Sequence, residues 1–218
     1  MLSLAVKKVC DTLYCLPFEE LYALDILNFP WLSVLRGLSL SAAVETVRHC
    51  LTRIRNEKER FKCVAKLHAW LIPRRIHRVW SIYHLRDVLA KKDRTFTCNE
   101  LLKAFNSAGS LLGYGAVDTG SALCLTALVK DEACHPPECM PICFCVWHRI
   151  PFVAVHTSGT DRHEAKHQVA LASVLGSLEK AFCTSCEDLS AAFLEATRAA
   201  RQSRLRGSEQ PREDSQQQ

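Results

Sequence analysis

No stretch of this chain offers the about 18 uninterrupted apolar residues that a membrane-crossing helix needs, so no spanning segment is read from its 218 residues. The first apolar run carries Lys7 and Lys8 within it and lacks a small-residue cleavage site. A secretory signal places its charge first, and an intracellular, reducing location is therefore expected. Also missing are a Gly-rich phosphate loop, a nucleophile elbow and a His-Glu-x-x-His helix, each of which would announce an enzyme through groups at fixed spacing. His163 and His167 stand at helical i, i+4 spacing, which could ligate a metal, but no third ligand accompanies them. No segment repeats. A non-catalytic protein that uses neither cofactor nor metal is expected.

Cysteine, by contrast, is abundant, with twelve in the chain. In a secreted protein that number would suggest disulfides. Here Cys10, Cys50, Cys63, Cys124, Cys143 and Cys145 fall within apolar periodic segments, where a free cysteine behaves as a small buried hydrophobe. Two spacings invite a zinc reading: Cys134-His135 with Cys139, Cys143 and Cys145, and Cys183-x-x-Cys186. Neither has a matching second pair at finger spacing, and Cys143 and Cys145 would share one face of a strand instead of surrounding an ion. Buried thiols are the expectation, with a small Cys/His metal-binding protein as the contrary reading.

Apolar content of 48% with 23% charged residues is ordinary for a globular protein. The net charge of +5 is unevenly spread: between Thr46 and Arg94 lie 14 of the 28 basic residues against four acids, Glu57, Glu59, Asp87 and Asp93. That excess is a candidate surface for a polyanion, although basic helix faces also occur in proteins that never touch nucleic acid.

The first third reads as short helices. Leu2, Val6, Val9 and Leu13 make one stripe, Pro17 separates it from a segment running from Phe18 to Leu27, and Pro30 marks another break. Val44, Val47, Leu51 and Ile54 make a further stripe, and Phe61, Val64, His68 and Leu71 the next, stopped by Pro73. Arg74 to Ala90 reads as another helix, with Ile76, Val79, Trp80 and Tyr83 inward and Arg75 and Arg78 opposite. Thr97-Cys-Asn-Glu100 has the form of a capping box opening a helix that ends near Gly109.

The remainder is mixed. Ser121 to Val129 reads as a strand, and Asp131 to Pro141 as an exposed loop. Ile142 to Ile150 and Phe152 to His156, interrupted by Pro151, have the look of a hairpin. A loop from Thr157 to His163 then opens a helix in which Asp161 caps and Glu164 reciprocates. Leu171, Leu175, Leu178 and Phe182 supply one face to lay on the hairpin. Beyond Arg201 the composition is that of a disordered tail.

Several of these pieces resemble, in order, the centromere protein N family of the inner kinetochore. Leu16-Pro17-Phe18-Glu19-Glu20-Leu21 is similar to the junction of the family's first two pyrin-domain helices, and Arg78-Val79-Trp80-Ser81-Ile82-Tyr83 to the segment leading into its second domain. Thr97 to Phe105 resembles the helix before its first long strand, Pro141 to Val155 its hairpin, and Ser158 to Leu175 its basic loop and following helix.

The resemblance implies an α+β fold: a pyrin-like (death-fold) helical bundle over residues 1–73, then a mixed α/β domain with an antiparallel sheet over 74–198 and a disordered tail over 199–218. It implies a binding module for nucleosomes that carry the centromeric histone H3 variant, working in the nucleus at the centromere and kinetochore, in chromosome segregation. Arg78 and Arg162 match basic positions of the family, and with Lys7, Lys8, Arg74 and Arg75 they are the expected contacts to DNA phosphates. Centromere protein L and other inner-kinetochore subunits follow as implied partners, although the chain stops at Gln218, before the region through which family members pair with centromere protein L. The helical third alone would equally suit a pyrin or death-fold adaptor that assembles with copies of itself.

Overall fold

The computed structural model describes residues 2–26, 29–74, 79–86, 89, 92–131, 138–157 and 164–208. Five α-helices come first: α1 (Leu2–Leu13), α2 (Phe18–Leu21), α3 (Ala23–Ile26), α4 (Leu40–Arg53) and α5 (Glu57–Leu71), the last followed by a 3-10 turn, Ile72–Arg74. Val6, Val9 and Leu13 are buried as the stripe requires, together with Ala5 and Cys10. The single helix expected from Phe18 to Leu27 is instead two four-residue helices parted at Tyr22. Tyr22 Oη donates to the Leu38 carbonyl at 2.9 Å, and the Asp25 carboxylate accepts from Leu35 N at 2.9 Å and Arg36 N at 3.0 Å. Ser39 caps α4 through Ala42 N, and Asn56 caps α5 through Glu59 N.

Helix α5 is exposed over its first turn and at Lys62 and Lys66, buries Phe61, Cys63, Val64 and Ala65 between them, and is buried on every side from Leu67 to Leu71. A helical stretch buried on every side belongs to an interior, and α5 lies between the other helices and a six-stranded antiparallel sheet. The strands are β1 (Trp80–His84), β2 (Leu111–Asp118), β3 (Ala122–Asp131), β4 (Glu138–Trp147), β5 (Phe152–Thr157) and β6 (Phe182–Cys186), in the order β2-β3-β4-β5-β1-β6. Leu128 of β3 and Cys139 of β4 share one core with α1 to α5. The approach of α5 to β2 is close enough to need glycine. A Cβ on Gly115 would stand 2.3 Å from Lys66 N, and one on Gly113 would stand 2.8 Å from Phe61 Cβ.

On the same face, α9 (Leu189–Ser208) lays Ala192, Ala196 and Ala200 against Trp80, Ile82, Cys124, Cys143, Cys145 and Trp147. Successive alanines four apart allow a helix to sit near the strands. The opposite face is covered by α6 (Arg94–Ser107), α7 (Glu164–Leu175) and α8 (Leu178–Ala181). There Leu101, Phe105, Leu171 and Leu175 meet Leu125, Ile142, Phe144, Val153 and Val155. The fold is thus α+β, helices packed on both faces of one antiparallel sheet. Among the described residues no helix is long and apolar enough to cross a membrane.

Four expectations are corrected. The helix expected from Arg74 to Ala90 gives way at Trp80–His84 to a strand held between β5 and β6. The aromatic and β-branched residues there bury at period two, Trp80 and Ile82 on one face, and the pairing of two neighbours outweighs helical spacing. The loop expected from Asp131 to Pro141 gives way to strand through Asp131 and again from Glu138. Pro141 is tolerated because β5 pairing begins only at Ile142, so β4 is paired on one side there. Phe182 does not continue the α7 face but opens β6 and is exposed. Helix α9 runs to Ser208, past the boundary drawn for a disordered tail. Two smaller revisions concern helix starts: Asp93, not Thr97, caps α6, accepting from Phe96 N at 2.7 Å, while Asp161, the expected cap of α7, lies outside the described residues.

Candidate nucleic-acid interface

The expected phosphate contacts do not converge. Lys7 is exposed on α1 with its side chain in solvent. Lys8, one position on, is half-buried and close enough to His68 and Cys139 to act on the ionisation of both. Arg74 is committed inside the protein. Its guanidinium stacks 3.6 Å from the Trp70 ring centroid, donates to the Trp70 carbonyl at 2.5 Å and lies 3.5 Å from the Glu20 carboxylate. Burial lowers its pKa, with Glu20 opposing the change. A guanidinium so engaged joins α2 to the end of α5. Arg75, Arg78 and Arg162 lie outside the described residues.

Val79, read as an inward helical position beside Arg78, is 63% exposed with φ of +64°. A β-branched residue in the left-handed region is strained by about 1 kcal/mol or more. Two backbone bonds hold it: Val79 N donates to the Glu187 carbonyl at 3.0 Å, and His156 Nδ1 lies 3.1 Å from the Val79 carbonyl.

A better-formed cationic surface stands at the turn from α4 to α5. Arg53 ends α4, Arg55 follows and Lys58 lies in the first turn of α5; all three are exposed. Among the described residues none of them has an acidic partner, whereas Arg48 pairs with Glu45 at 3.3 Å and Lys62 with Glu59 at 3.3 Å. The turn is built firmly: Asn56 Oδ1 accepts from Glu59 N at 3.1 Å, and Arg60 Nε donates to the Ile54 carbonyl at 2.9 Å. These cations lay within the basic stretch legible in the sequence, but nothing in their spacing distinguished them from Arg48, Lys62 or Lys66. Only the acids and rings placed beside the others, such as Phe29 4.9 Å from Lys66 Nζ, set them apart.

Chemistry elsewhere is sparse. Among the described residues seven cysteines are buried, and Cys143 and Cys145 share one face of β4, against α9. Burial pushes the thiols of Cys98, Cys139 and Cys143 up to about 12, which removes them as nucleophiles at neutral pH. Among the described residues no three His, Cys, Asp or Glu side chains converge as a metal site requires. The chain matches no model of a known protein family, and no curated protein matches it in sequence.

Proposed function

We propose that the protein is a non-catalytic chromatin-binding module of the inner kinetochore, resembling centromere protein N, that holds nucleosomes carrying the centromeric histone H3 variant. In this reading α1 to α5 are the pyrin-like part and the sheet with its helices the second domain. The observation that carries it is the cluster of cations without acidic partners among the described residues, Arg53, Arg55 and Lys58 on a rigid turn, together with exposed Lys7 on α1. Exposed cations that pair with no acid among the described residues, on a turn held by hydrogen bonds, suit the phosphate backbone, which positions a protein without reading sequence. Lys7, Arg53, Arg55 and Lys58 are the principal contacts, with Arg75, Arg78 and Arg162 as further candidates from the family likeness. Arg74 acts by tying α2 to α5.

The test is a titration on reconstituted nucleosomes, with and without the centromeric variant, at several salt concentrations. Replacing Lys7, Arg53, Arg55 and Lys58 by alanine should weaken binding and flatten the salt dependence by about 0.9 in log–log slope for each phosphate no longer neutralised. Unchanged affinity and slope, with unchanged Tm, would reject the surface. Concentration-dependent filaments in place of nucleosome binding would favour the adaptor reading.

A further inference from the structure

Two cysteines face each other across the middle of the sheet. Cys124 of β3 and Cys145 of β4 are register partners, and among the described residues no other two cysteines oppose each other across strands. His148 N donates to the Ser121 carbonyl at 3.0 Å, which makes Ser121 and His148 a hydrogen-bonded pair between the two strands. Bonded and unbonded pairs alternate along antiparallel strands, so Leu123 with Val146 is bonded, whereas Cys124 with Cys145 is not.

Residues at an unbonded pair have Cα atoms about 4.5 Å apart, closer than at a bonded one. A disulfide needs about 4.4–6.8 Å between its Cα atoms, so the backbone already stands where a bond between the two sulfurs can close without parting the strands. The side chains agree. The Cys145 thiol hydrogen-bonds with Cys124, and that contact together with burial raises its pKa well above the ordinary thiol value. No other described thiol is as well placed. Cys143 lies two residues along β4 from Cys145, about 7 Å in strand geometry, and its sulfur is 3.5 Å from Thr126 Oγ1. Cys98 of α6 packs on the opposite face of the sheet.

Both sulfurs of the pair are covered, each cysteine being 1% exposed. They share a core with Ile72 of the 3-10 turn and with Ala192, Ala196 and Ala200 of α9. Cys124 is also near enough to Arg74 for charge on one to act on the other. At rest the pair is a buried dithiol, reached when these coverings open locally.

We propose that Cys124 and Cys145 form a reversible oxidation site, a dithiol that a small peroxide converts to a disulfide joining β3 to β4. Peroxide suits the site because it is small and uncharged, and an apolar core resists the entry of charge. The Cys124 sulfur, near the Arg74 guanidinium, attacks one peroxide oxygen. The O–O bond breaks, the departing hydroxide takes up the thiol proton as water, and a sulfenic acid remains on Cys124. The Cys145 sulfur then displaces the sulfenic oxygen, which leaves with the Cys145 proton as a second water while the S–S bond forms. Two thiols are oxidised, and one peroxide is reduced to two waters. Nothing in these steps depends on what the protein binds.

In the test, the reduced chain is incubated with hydrogen peroxide at pH 8, its remaining thiols are blocked after denaturation, and the non-reduced digest is mapped by mass spectrometry. A peptide linking Cys124 to Cys145 should appear, and should vanish on treatment with dithiothreitol. Closing a loop of about 20 residues should also raise Tm by about 5 °C or more, a gain that the same reductant reverses. Cys145→Ala should yield neither the linked peptide nor the gain in Tm, whereas Cys143→Ala should yield both. If either variant fails to fold, the peptide map and Tm of the unaltered chain carry the test. Absence of the linked peptide, Cys124 or Cys145 joined to another cysteine, or an equal gain in Tm for Cys145→Ala would overturn the proposal.

Discussion

His68 is the most informative residue to perturb, because it is a titratable ring locked in the interior. It is 4% exposed, its Nδ1 bonds to nothing among the described residues, and burial, with His156 and Lys8 adding like charge, lowers its pKa from 6.5 to about 4. In the unfolded chain the ring takes a proton as pH falls through 6.5, while in the fold it resists until about 4. Its contribution is therefore full above pH 6.5 and is lost as pH falls towards 4. At 1.36 kcal/mol for each pH unit of displacement, the whole change is about 3 kcal/mol, of which about 1.4 kcal/mol is gone at pH 5.5 and about 2.5 kcal/mol at pH 4.5. Comparing wild type with His68→Leu removes the carboxylates from the comparison, since both proteins share them. Urea unfolding followed by circular dichroism at pH 7.5, 6.5, 5.5 and 4.5 should show the two stability curves diverging by these amounts, with the variant gaining on the wild type as acid is added. At pH 7.5 the variant should differ by no more than about 1 kcal/mol, because a ring with an unsatisfied nitrogen gives way to an apolar side chain of similar size. Parallel curves would refute the placement of His68 between α1, α5 and β5.

Gly115→Ala should destabilise the protein by about 3 kcal/mol or prevent folding, because the new Cβ meets the Lys66 backbone at 2.3 Å and a backbone cannot move aside as a side chain would; a Tm within a degree of wild type would contradict the close packing of α5 on β2. Gly37→Ala, at φ of +87° with open space around it, should cost only about 1 kcal/mol by the same thermal measurement. Asp93→Ala should cost about 1 kcal/mol by losing the α6 cap, measured in urea, whereas Glu100→Ala should cost far less if Thr97 and Glu100 form no capping box. Alkylation at pH 8 should label the exposed Cys15 and Cys183 in the native protein and reach Cys139 and Cys143 only on denaturation; mass spectrometry showing Cys143 labelled as fast as Cys15 would reject the buried-thiol assignment.

Local patterning in the sequence sufficed for those elements whose stability is mostly their own amphipathic face. The stripes of α1, α4 and α5, the stop at Pro73, and the strands around Pro151 were legible because one period, 3.6 or 2, is repeated long enough to be recognised. What the periodicity could not supply was decided by neighbours. Trp80–His84 is a strand because β5 and β6 flank it, and β2 is a strand despite Gly113 and Gly115 because α5 needs their missing side chains. Strand β6 and helix α9 likewise rest on partners distant in the chain, β1 for one and a row of alanines against Trp80 and Cys143 for the other. The same holds for charge. The basic excess was visible in the sequence, but which cations are free depended on which received a carboxylate, a carbonyl or a ring in the fold: Arg74 received all three, while Arg53, Arg55 and Lys58 received no acid among the described residues. Side-chain identity sets what a residue can bond to, and only the tertiary arrangement brings the competing partners within the few ångströms at which that capacity is used.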